Sequence, residues 1–134
     1  MGYETKYYAV KRYDFKSFIN KGYNASEIVA MIDMCKMGYD KDITEFYNLF
    51  TEEADFVLYM EDYNEEIDKD VMTDVTEDRY GRELCYIPRD KIGRAIEILE
   101  NKVKVDNYWR YELLLNFFKT FEKYEDIYIV LYGY

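Results

Sequence analysis

The sequence predicts an α+β fold in one domain, 1–134, and three observations carry this prediction. The chain of 134 residues has the usual length of one domain and can bury a core. Apolar residues make up 49% of it and aromatic residues 19%, which is more burial capacity than a disordered chain has. Strand-like runs at both ends enclose segments of helical periodicity. We therefore expect an antiparallel or mixed sheet of about four to five short strands with about five helices.

The chain begins with a predicted strand. Residues 4–12 have the β-branched and aromatic content typical of strands. Residues 14–50 are then expected to hold three short helices. The first covers 14–21 and ends at Gly22, since glycine often follows the last turn of a helix.

The second and third helices are predicted from their ends and their apolar stripes. Asn24 and Glu27 have the spacing of a capping box, and Gly38 can supply a left-handed stop. The stripe of the second helix consists of Ile28, Met31, Ile32 and Cys35. Asp40 is placed to cap the third helix, whose stripe consists of Ile43, Phe46, Tyr47 and Phe50. Short helices joined at glycines resemble helix-turn-helix layouts, but the balanced charge of residues 1–50 argues against DNA binding.

The middle of the chain is predicted to consist of strands and loops. Residues 55–60 contain a compact apolar run that favours a strand, although the pattern also fits a helix. Whether residues 61–70 are helical or extended stays open. Residues 71–76 and 82–87 are expected to form a β-hairpin that turns at 78–81.

Residues 82–134 are predicted to form a strand, two helices and a C-terminal strand. The first of these helices covers 90–102, after Pro88 has ended the strand. Residues 107–124 form the most apolar predicted helix, so this helix is either central to the core or partly committed to a partner. The run 126–134 has the composition of a strand.

The sequence lacks the residues of the common catalytic and cofactor sites. It has no histidine, and its two cysteines, Cys35 and Cys85, lie fifty residues apart. This excludes histidine-dependent nucleophiles, C-x-x-C pairs and zinc sites. The six glycines are scattered, so there is neither a phosphate-binding loop nor a dinucleotide fingerprint. We therefore predict that the protein is not an enzyme and has no catalytic, cofactor-binding or metal-binding residues.

A calcium-binding loop beginning at Asp62 fails at two demanding positions. Asp62, Asn64 and Glu66 match the first ligand positions of an EF-hand. However, Ile67 stands where the loop needs a glycine, and Thr73 stands where it needs a bidentate glutamate. The sequence therefore does not predict a calcium site.

The net charge of −10 is concentrated in one segment. Residues 1–50 carry seven acids and seven bases, and residues 81–134 carry nine of each, whereas residues 51–80 carry twelve acids and two bases. Such a concentration produces a local negative field that can steer a basic partner. Five of the bases lie within residues 1–21 and form a modest positive region, which we expect to lie beside the acidic segment or another copy of the chain. These bases are Lys6, Lys11, Arg12, Lys16 and Lys21.

We interpret the acidic segment, residues 61–78, as a candidate partner-binding surface. Its predicted partner-binding residues are Glu61, Asp62, Tyr63, Glu65, Glu66, Asp68, Asp70, Asp74, Glu77 and Asp78. Carboxylates in one helical row, or about 6.6 Å apart at alternate strand positions, have a spacing comparable to that of nucleic-acid phosphates. Tyr63 is the expected anchoring ring, because tyrosine is enriched at interfaces. The alternative is a solvated edge that only prevents aggregation.

A small, tyrosine-rich chain with a localised carboxylate tract resembles phage-encoded anti-defence inhibitors. It is similar in this respect to anti-CRISPR proteins and to DNA-mimic inhibitors of restriction enzymes. The residues that carry the resemblance are Glu61, Asp62, Glu65, Glu66, Asp68, Asp70, Asp74, Glu77 and Asp78. The resemblance implies a phage protein that binds a nuclease or another defence effector in the host cytosol. It contains no family motif.

The predicted function is therefore that of a non-enzymatic binding or inhibitor protein. Its acidic segment would dock on a basic protein surface, such as the nucleic-acid groove of a nuclease, without binding nucleic acid or a membrane itself. A cytoplasmic location is expected because the N-terminus lacks a signal-peptide layout and no apolar run approaches the ~20 residues that span a bilayer. Two alternatives stay open. One is an assembly module that self-associates through helix 107–124 or strand 126–134, and the other is a small-molecule binder or carboxylate enzyme.

Overall fold

The computed structural model describes residues 4–34 and 43–134, which form seven strands and three helices. The strands are β1 (Thr5–Lys16), β2 (Asn24–Asp33), β3 (Glu52–Glu53), β4 (Leu58–Asn64), β5 (Lys69–Val75), β6 (Cys85–Tyr86) and β7 (Ile127–Gly133). The helices are α1 (Thr44–Tyr47), α2 (Ile92–Val105) and α3 (Trp109–Phe121), and a 3₁₀ turn, Arg89–Lys91, precedes α2. The α+β class is confirmed, but the prediction of about five helices is wrong.

Five strands form an antiparallel sheet in the order β2-β1-β7-β6-β3. The long strand β1 and the C-terminal strand β7 lie inside it and pair from Thr5 opposite Gly133 to Lys11 opposite Ile127. Strands β4 and β5 form a separate two-stranded antiparallel sheet, the hairpin 58–75. The expectation of four to five strands in one sheet is thus met by the main sheet.

The two faces of the main sheet bury two different clusters. On one face, Tyr7 and Ile129 pack against the three helices, and the ring of Tyr7 lies 5.8 Å from that of Phe46 and 6.4 Å from that of Phe118. On the other face, Tyr8, Val10, Val130 and Tyr132 pack against Leu58 and Val75 of the hairpin 58–75. The alternation of side chains along a strand produces this division, because successive residues point to opposite faces. The hairpin and the helices therefore lie on opposite sides of the main sheet.

The helices predicted at 14–21 and from Asn24 are wrong, because β1 extends to Lys16, bends and a turn follow it, and β2 begins at Asn24. The backbone of β2 pairs with β1 along its length, and this long-range pairing outweighs the local helical signals. Asn24, the expected helix cap, instead donates from Nδ2 to the carbonyl of Tyr13 at 2.9 Å, and Ser26 donates to the carbonyl of Val57. Polar residues that can cap a helix thus connect strands.

A β-bulge explains why β2 imitates a helical stripe. Val10 faces Ile28 and Ala9 faces Ala30, which leaves Val29 as the extra residue. Ile28 therefore packs on the hairpin side of the sheet and Ile32 on the helical side, although their spacing of four would place both on one face of a regular strand. The sequence pattern could not show this break in alternation.

The third predicted helix is present only as α1, a single turn. Its Phe46 is fully buried, and Ile43 and Phe50 join the same cluster, so the stripe predicted for this segment does face the core. Cys35, Gly38 and Asp40 lie outside the described residues.

The predicted hairpin between 71–76 and 82–87 is also wrong in its pairing. Strand β5 pairs with β4, and β6 belongs to the main sheet beside β7. The two predicted strands meet only at their ends, through a backbone hydrogen bond of 3.3 Å from Leu84 to Thr76 and an isolated bridge between Glu77 and Glu83, although the turn at 78–81 does form. Gly81 adopts a positive φ of 75° in this turn, which glycine does without strain.

The C-terminal predictions are confirmed. Helices α2 and α3 and strand β7 agree with the predicted ranges to within about three residues at each end. Residues 55–60 include the start of β4, as the apolar run predicted. No helix of the part of the chain described here is long and apolar enough to cross a membrane.

Candidate functional site

The acidic segment is extended, and its ten predicted partner-binding residues follow the hairpin and the turn after it. Glu61, Asp62 and Tyr63 lie in β4, and Glu65, Glu66 and Asp68 lie in the turn between the strands. Asp70 and Asp74 lie in β5, and Glu77 and Asp78 follow it. The hairpin 58–75 carries seven carboxylates against one lysine, so the negative charge is concentrated on this one element.

The local sequence explains this hairpin. Asp68 adopts a left-handed backbone with a φ of 52°, which aspartate tolerates better than most residues. The side chain of Asn64 accepts a hydrogen bond from the backbone N–H of Glu66 at 2.9 Å and so closes the turn. In the strands, exposed and more buried positions alternate, which is typical of a sheet with one solvated face.

The outer face of the hairpin combines carboxylates with large apolar side chains. Three cross-strand pairs form it, namely Tyr59 with Asp74, Glu61 with Met72, and Tyr63 with Asp70. The exposed fractions of Tyr59, Tyr63 and Met72 are 45%, 47% and 47%, although each side chain is large enough to prefer burial. We refer to these six residues as the outer face. Tyrosine and methionine are enriched at protein interfaces, and polar groups surround them at the rim.

Four of the predicted carboxylates already have structural partners. Asp62 forms an ion pair with Arg79 at 3.5 Å, and the carboxylate of Asp68 accepts a hydrogen bond from the hydroxyl of Tyr63, which raises the pKa of Tyr63. Asp74 accepts bonds from the hydroxyl of Ser17 and from the backbone N–H of Asn20, the latter at 3.0 Å. Asp78 accepts bonds from the backbone N–H groups that follow it, at 2.8 and 3.0 Å, and closes the turn at 78–81.

The other five predicted carboxylates lie on exposed residues. These residues are Glu61, Glu65, Glu66, Asp70 and Glu77. None of their side chains forms a hydrogen bond or ion pair with a described residue. Their charge is therefore directed to solvent and is available to a partner.

The evenly spaced carboxylate row expected of a nucleic-acid mimic is not formed. In β4 only Glu61 points outward, because Asp62 lies on the face toward the main sheet. In β5 the outward carboxylates are Asp70 and Asp74, four residues apart, which corresponds to about 13 Å along a strand. Aromatic and methionine side chains occupy the places between them.

The basic residues of 1–21 do not neutralise the acidic segment. Arg12 binds Asp14 and Asp55, each at 2.8 Å, and these two acids lie outside residues 61–78. Lys6 lies over the ring of Tyr134 at 4.4 Å. Arg12 thus reaches the acid-rich residues 51–80 at Asp55, and the expectation that the positive region lies beside the acidic segment or another copy of the chain stays a prediction.

A groove of about 270 Å³ opens at the base of the outer face, between the hairpin and the turn 17–20. Its lining residues are Ser17, Phe18, Ile19, Ala25, Ser26, Val57, Tyr59 and Asp74. Sequence reasoning missed this site because it placed Ser17 in a helix. The signal that could have found it is the run from Ser17 to Gly22, where serine, asparagine and glycine favour a turn.

Cys85 is the cysteine within the described residues, and its surroundings do not activate its thiol. Cys85 is partly buried, and burial, together with the charge of Glu53 and Glu83, raises the pKa of its thiol above the usual value. A thiol with a raised pKa is a poor nucleophile at neutral pH. Among the residues that the structure describes, no three histidine, cysteine, aspartate or glutamate side chains are grouped to hold a metal ion.

Comparison of the chain with protein-family models, with curated proteins and with solved structures finds no match. No relative therefore supplies a function or a set of site residues. The resemblance to anti-defence inhibitors stays a hypothesis, and the functional argument rests on the charges and contacts of the outer face and the groove.

Proposed function

We propose that this chain is a non-enzymatic binding protein whose acidic hairpin docks on a basic surface of another protein. One observation carries the proposal. The outer face exposes Tyr59, Tyr63 and Met72 beside Glu61 and Asp70, whose carboxylates have no cationic partner among the described residues. Apolar side chains supply the burial that holds a complex together, and the carboxylates supply steering and specificity.

A nucleic-acid-binding protein, such as a nuclease of a defence system, is the class of partner that fits this charge. The binding groove of such a protein is basic, and the hairpin exposes four carboxylates without side-chain partners among the described residues, namely Glu61, Glu65, Glu66 and Asp70. The interleaved tyrosines favour recognition of the protein surface itself, because a pure phosphate mimic would need only charge. Binding of this kind is expected to weaken as salt rises, since exposed charges are screened within about 10 Å at 0.1 M.

Charge reversal on the hairpin tests the proposal. The test variant carries Glu61→Lys, Glu65→Lys and Asp70→Lys, three exposed positions without side-chain partners. From the sequence alone, Asp68 would be reversed together with Glu65 and Glu66. It is left unchanged because its carboxylate accepts a hydrogen bond from Tyr63 and its backbone has a positive φ.

The matched control carries Glu122→Lys, Glu125→Lys and Asp126→Lys, which change the net charge equally at exposed positions far from the hairpin in sequence. Each triple variant is immobilised and exposed to a lysate of the source cells, or of the host cells if the chain is phage-encoded. The proteins that each variant retains are compared at 50 and 500 mM salt. We expect one retained protein at low salt with the control triple and none with the test triple. A DNA duplex added as competitor should release that protein if its nucleic-acid groove is occupied. Equal retention by the two triples would contradict the proposal.

A second candidate function is self-association through α3. Trp109 and Leu113 lie one helical turn apart on this helix, and their exposed fractions are 58% and 45%. The other element of this hypothesis, strand 126–134, is less suited, because β7 already pairs with β1 on one side and β6 on the other. Sedimentation velocity of the wild type and of a Trp109→Ser, Leu113→Ser variant tests it. A dimer that persists at 500 mM salt and dissociates in the variant would favour this function.

A further inference from the structure

The groove at the base of the outer face has a chemistry that selects its occupant. We propose that it receives the side chain of an arginine from the basic partner. This inference rests on the proposed function and adds the residue type through which the partner is recognised.

The apolar wall of the groove indicates that a partner covers it. The exposed fraction of Phe18 is 92% and that of Ile19 is 58%, and both stand on the turn 17–20 beside the hairpin. Large apolar side chains exposed next to one another are typical of a surface that becomes buried on binding. Tyr59 continues this wall onto the outer face.

Apart from the phenol of Tyr59, the polar side chains that line the groove use their donors within the protein. The hydroxyl of Ser17 donates to Oδ2 of Asp74, and the hydroxyl of Ser26 donates to the carbonyl of Val57. Oδ2 of Asp74 also accepts from Asn20, but Oδ1 accepts no hydrogen bond from a described residue. None of the lining residues is basic, although Lys16 and Lys21 flank the turn in sequence. The groove therefore offers one negative charge to a cation.

The size of the groove matches a side chain better than a whole ligand. Its volume of about 270 Å³ lies below the ~300–1,000 Å³ that is typical of sites for drug-sized molecules. A long side chain with an apolar stem and a charged end suits this shape, because its methylene groups can cover Phe18 and Ile19 while the end reaches Asp74.

Arginine fits these walls better than lysine. The guanidinium group is planar and weakly hydrated, so it can stack on an aromatic ring and still donate to a carboxylate. The groove provides both elements, namely the rings of Phe18 and Tyr59 and the carboxylate of Asp74. An ammonium group would retain more of its water and could not stack as a plane.

Two peptides of equal length and charge test the inference. The first is Gly-Lys-Lys-Gly-Arg-Gly-Lys-Lys-Gly with blocked ends, and the second has lysine in place of the central arginine. Their dissociation constants are measured by calorimetry at 20 mM salt. We expect the arginine peptide to bind about fivefold more tightly, the size of a partly desolvated cation–π contact.

Three single variants then locate the preference. Asp74→Asn keeps an oxygen that can accept from Ser17 and Asn20 but removes the charge, and Phe18→Ser removes the exposed wall. Both are expected to reduce the ratio of the two dissociation constants to less than about twofold. The control is Phe15→Ser, since Phe15 is also more than half exposed but does not line the groove. It should retain the full ratio.

The outcomes separate this inference from the proposed function. Equal affinity of the wild type for both peptides would overturn the arginine site. If that shared affinity still weakens with salt and disappears in the triple hairpin reversal, the proposed function stands alone. A preference that survives both Asp74→Asn and Phe18→Ser would also overturn the inference. If neither peptide binds at low salt, the inference and the proposed function are overturned together.

Discussion

Asp74 holds the turn 17–20 against the hairpin, and its replacement by alanine should lower the free energy of unfolding. The carboxylate accepts hydrogen bonds from the hydroxyl of Ser17 and from the backbone N–H of Asn20. The exposed fraction of Ser17 is only 6%, so its hydroxyl would lose its partner without gaining much water. The backbone N–H of Asn20 lies nearer the surface and can turn to solvent.

These contacts set the expected magnitude for Asp74→Ala. A hydrogen bond to a charged group contributes about 1.5–3 kcal/mol, and a buried donor left unpaired costs about 1–3 kcal/mol. Relief of repulsion among the neighbouring carboxylates offsets a few tenths of a kcal/mol. We therefore expect a loss of about 2 kcal/mol, because only the Ser17 donor is strongly buried.

Asp70→Ala is the matched control for Asp74→Ala. It removes the same charge from the same strand, but Asp70 is exposed and forms no side-chain hydrogen bond or ion pair with a described residue. Its effect should lie within about 0.5 kcal/mol of zero.

Urea unfolding at pH 7, followed by circular dichroism, measures the two variants of this prediction. With a typical m-value near 2 kcal/mol/M, the midpoint of Asp74→Ala should fall by about 1 M and that of Asp70→Ala should hardly move. Equal midpoints for the two variants would refute the reasoning, because the role assigned to Asp74 would then be indistinguishable from that of a solvated acid.

Three further predictions concern the core and the ion pairs. Leu58→Ala should lower the free energy of unfolding by about 2–5 kcal/mol, since Leu58 is fully buried between the hairpin and the main sheet. Met72→Ala on the outer face should lower it by less than about 0.5 kcal/mol, and urea unfolding compares the two variants. Burial, with the charges of Tyr132 and Asp33, raises the pKa of Tyr8 to about 12, so stability present below pH 10 should be lost as pH rises to 12. Tyr8→Phe should show a smaller loss, and not none, because burial also raises the pKa of Tyr132 and Tyr86. Unfolding midpoints across that range, with a 295 nm titration, check this prediction. Arg12 donates two hydrogen bonds of 2.8 and 3.0 Å to Asp55 and so lowers the pKa of Asp55. Because Asp55 is exposed, Asp55→Asn should lower the free energy of unfolding by less than about 1 kcal/mol at pH 7. The difference in stability between the wild type and the variant should disappear once the pH falls below the lowered pKa, and thermal unfolding at a series of acid pH values measures it.

The sequence by itself located the strongest local signals. Helices α2 and α3 were predictable because their apolar residues recur at helical spacing, as Ile92, Ala95, Ile96 and Leu99 do in α2. Strand β7 was predictable from a dense β-branched and aromatic run. The position of the negative charge needed no structure, because formal charges can be counted along the chain.

Strand β2 was not predictable, because its stability comes from pairing with the preceding strand β1, which the local apolar pattern of β2 does not report. Asn24, Glu27 and Gly38 provide a plausible start and stop for a helix, and the bulge at Val29 leaves an apolar pattern that fits a helix as well as a strand. Pairing with β1 decides the matter, since it satisfies the backbone groups of β2 that face β1 and packs Ile28 and Ile32 against two different clusters. Local propensity differs too little between the two states to outweigh these contacts.

Only the tertiary structure separated the structural acids from the exposed ones. Asp70 and Asp74 are equivalent in the sequence, yet one points to solvent and the other bonds a turn 54 to 57 residues away. The groove likewise joins Phe18 to Tyr59 and exists only because the hairpin packs across the main sheet. A composition can state how much charge a segment carries, but burial and hydrogen bonding decide which of those charges a partner can reach.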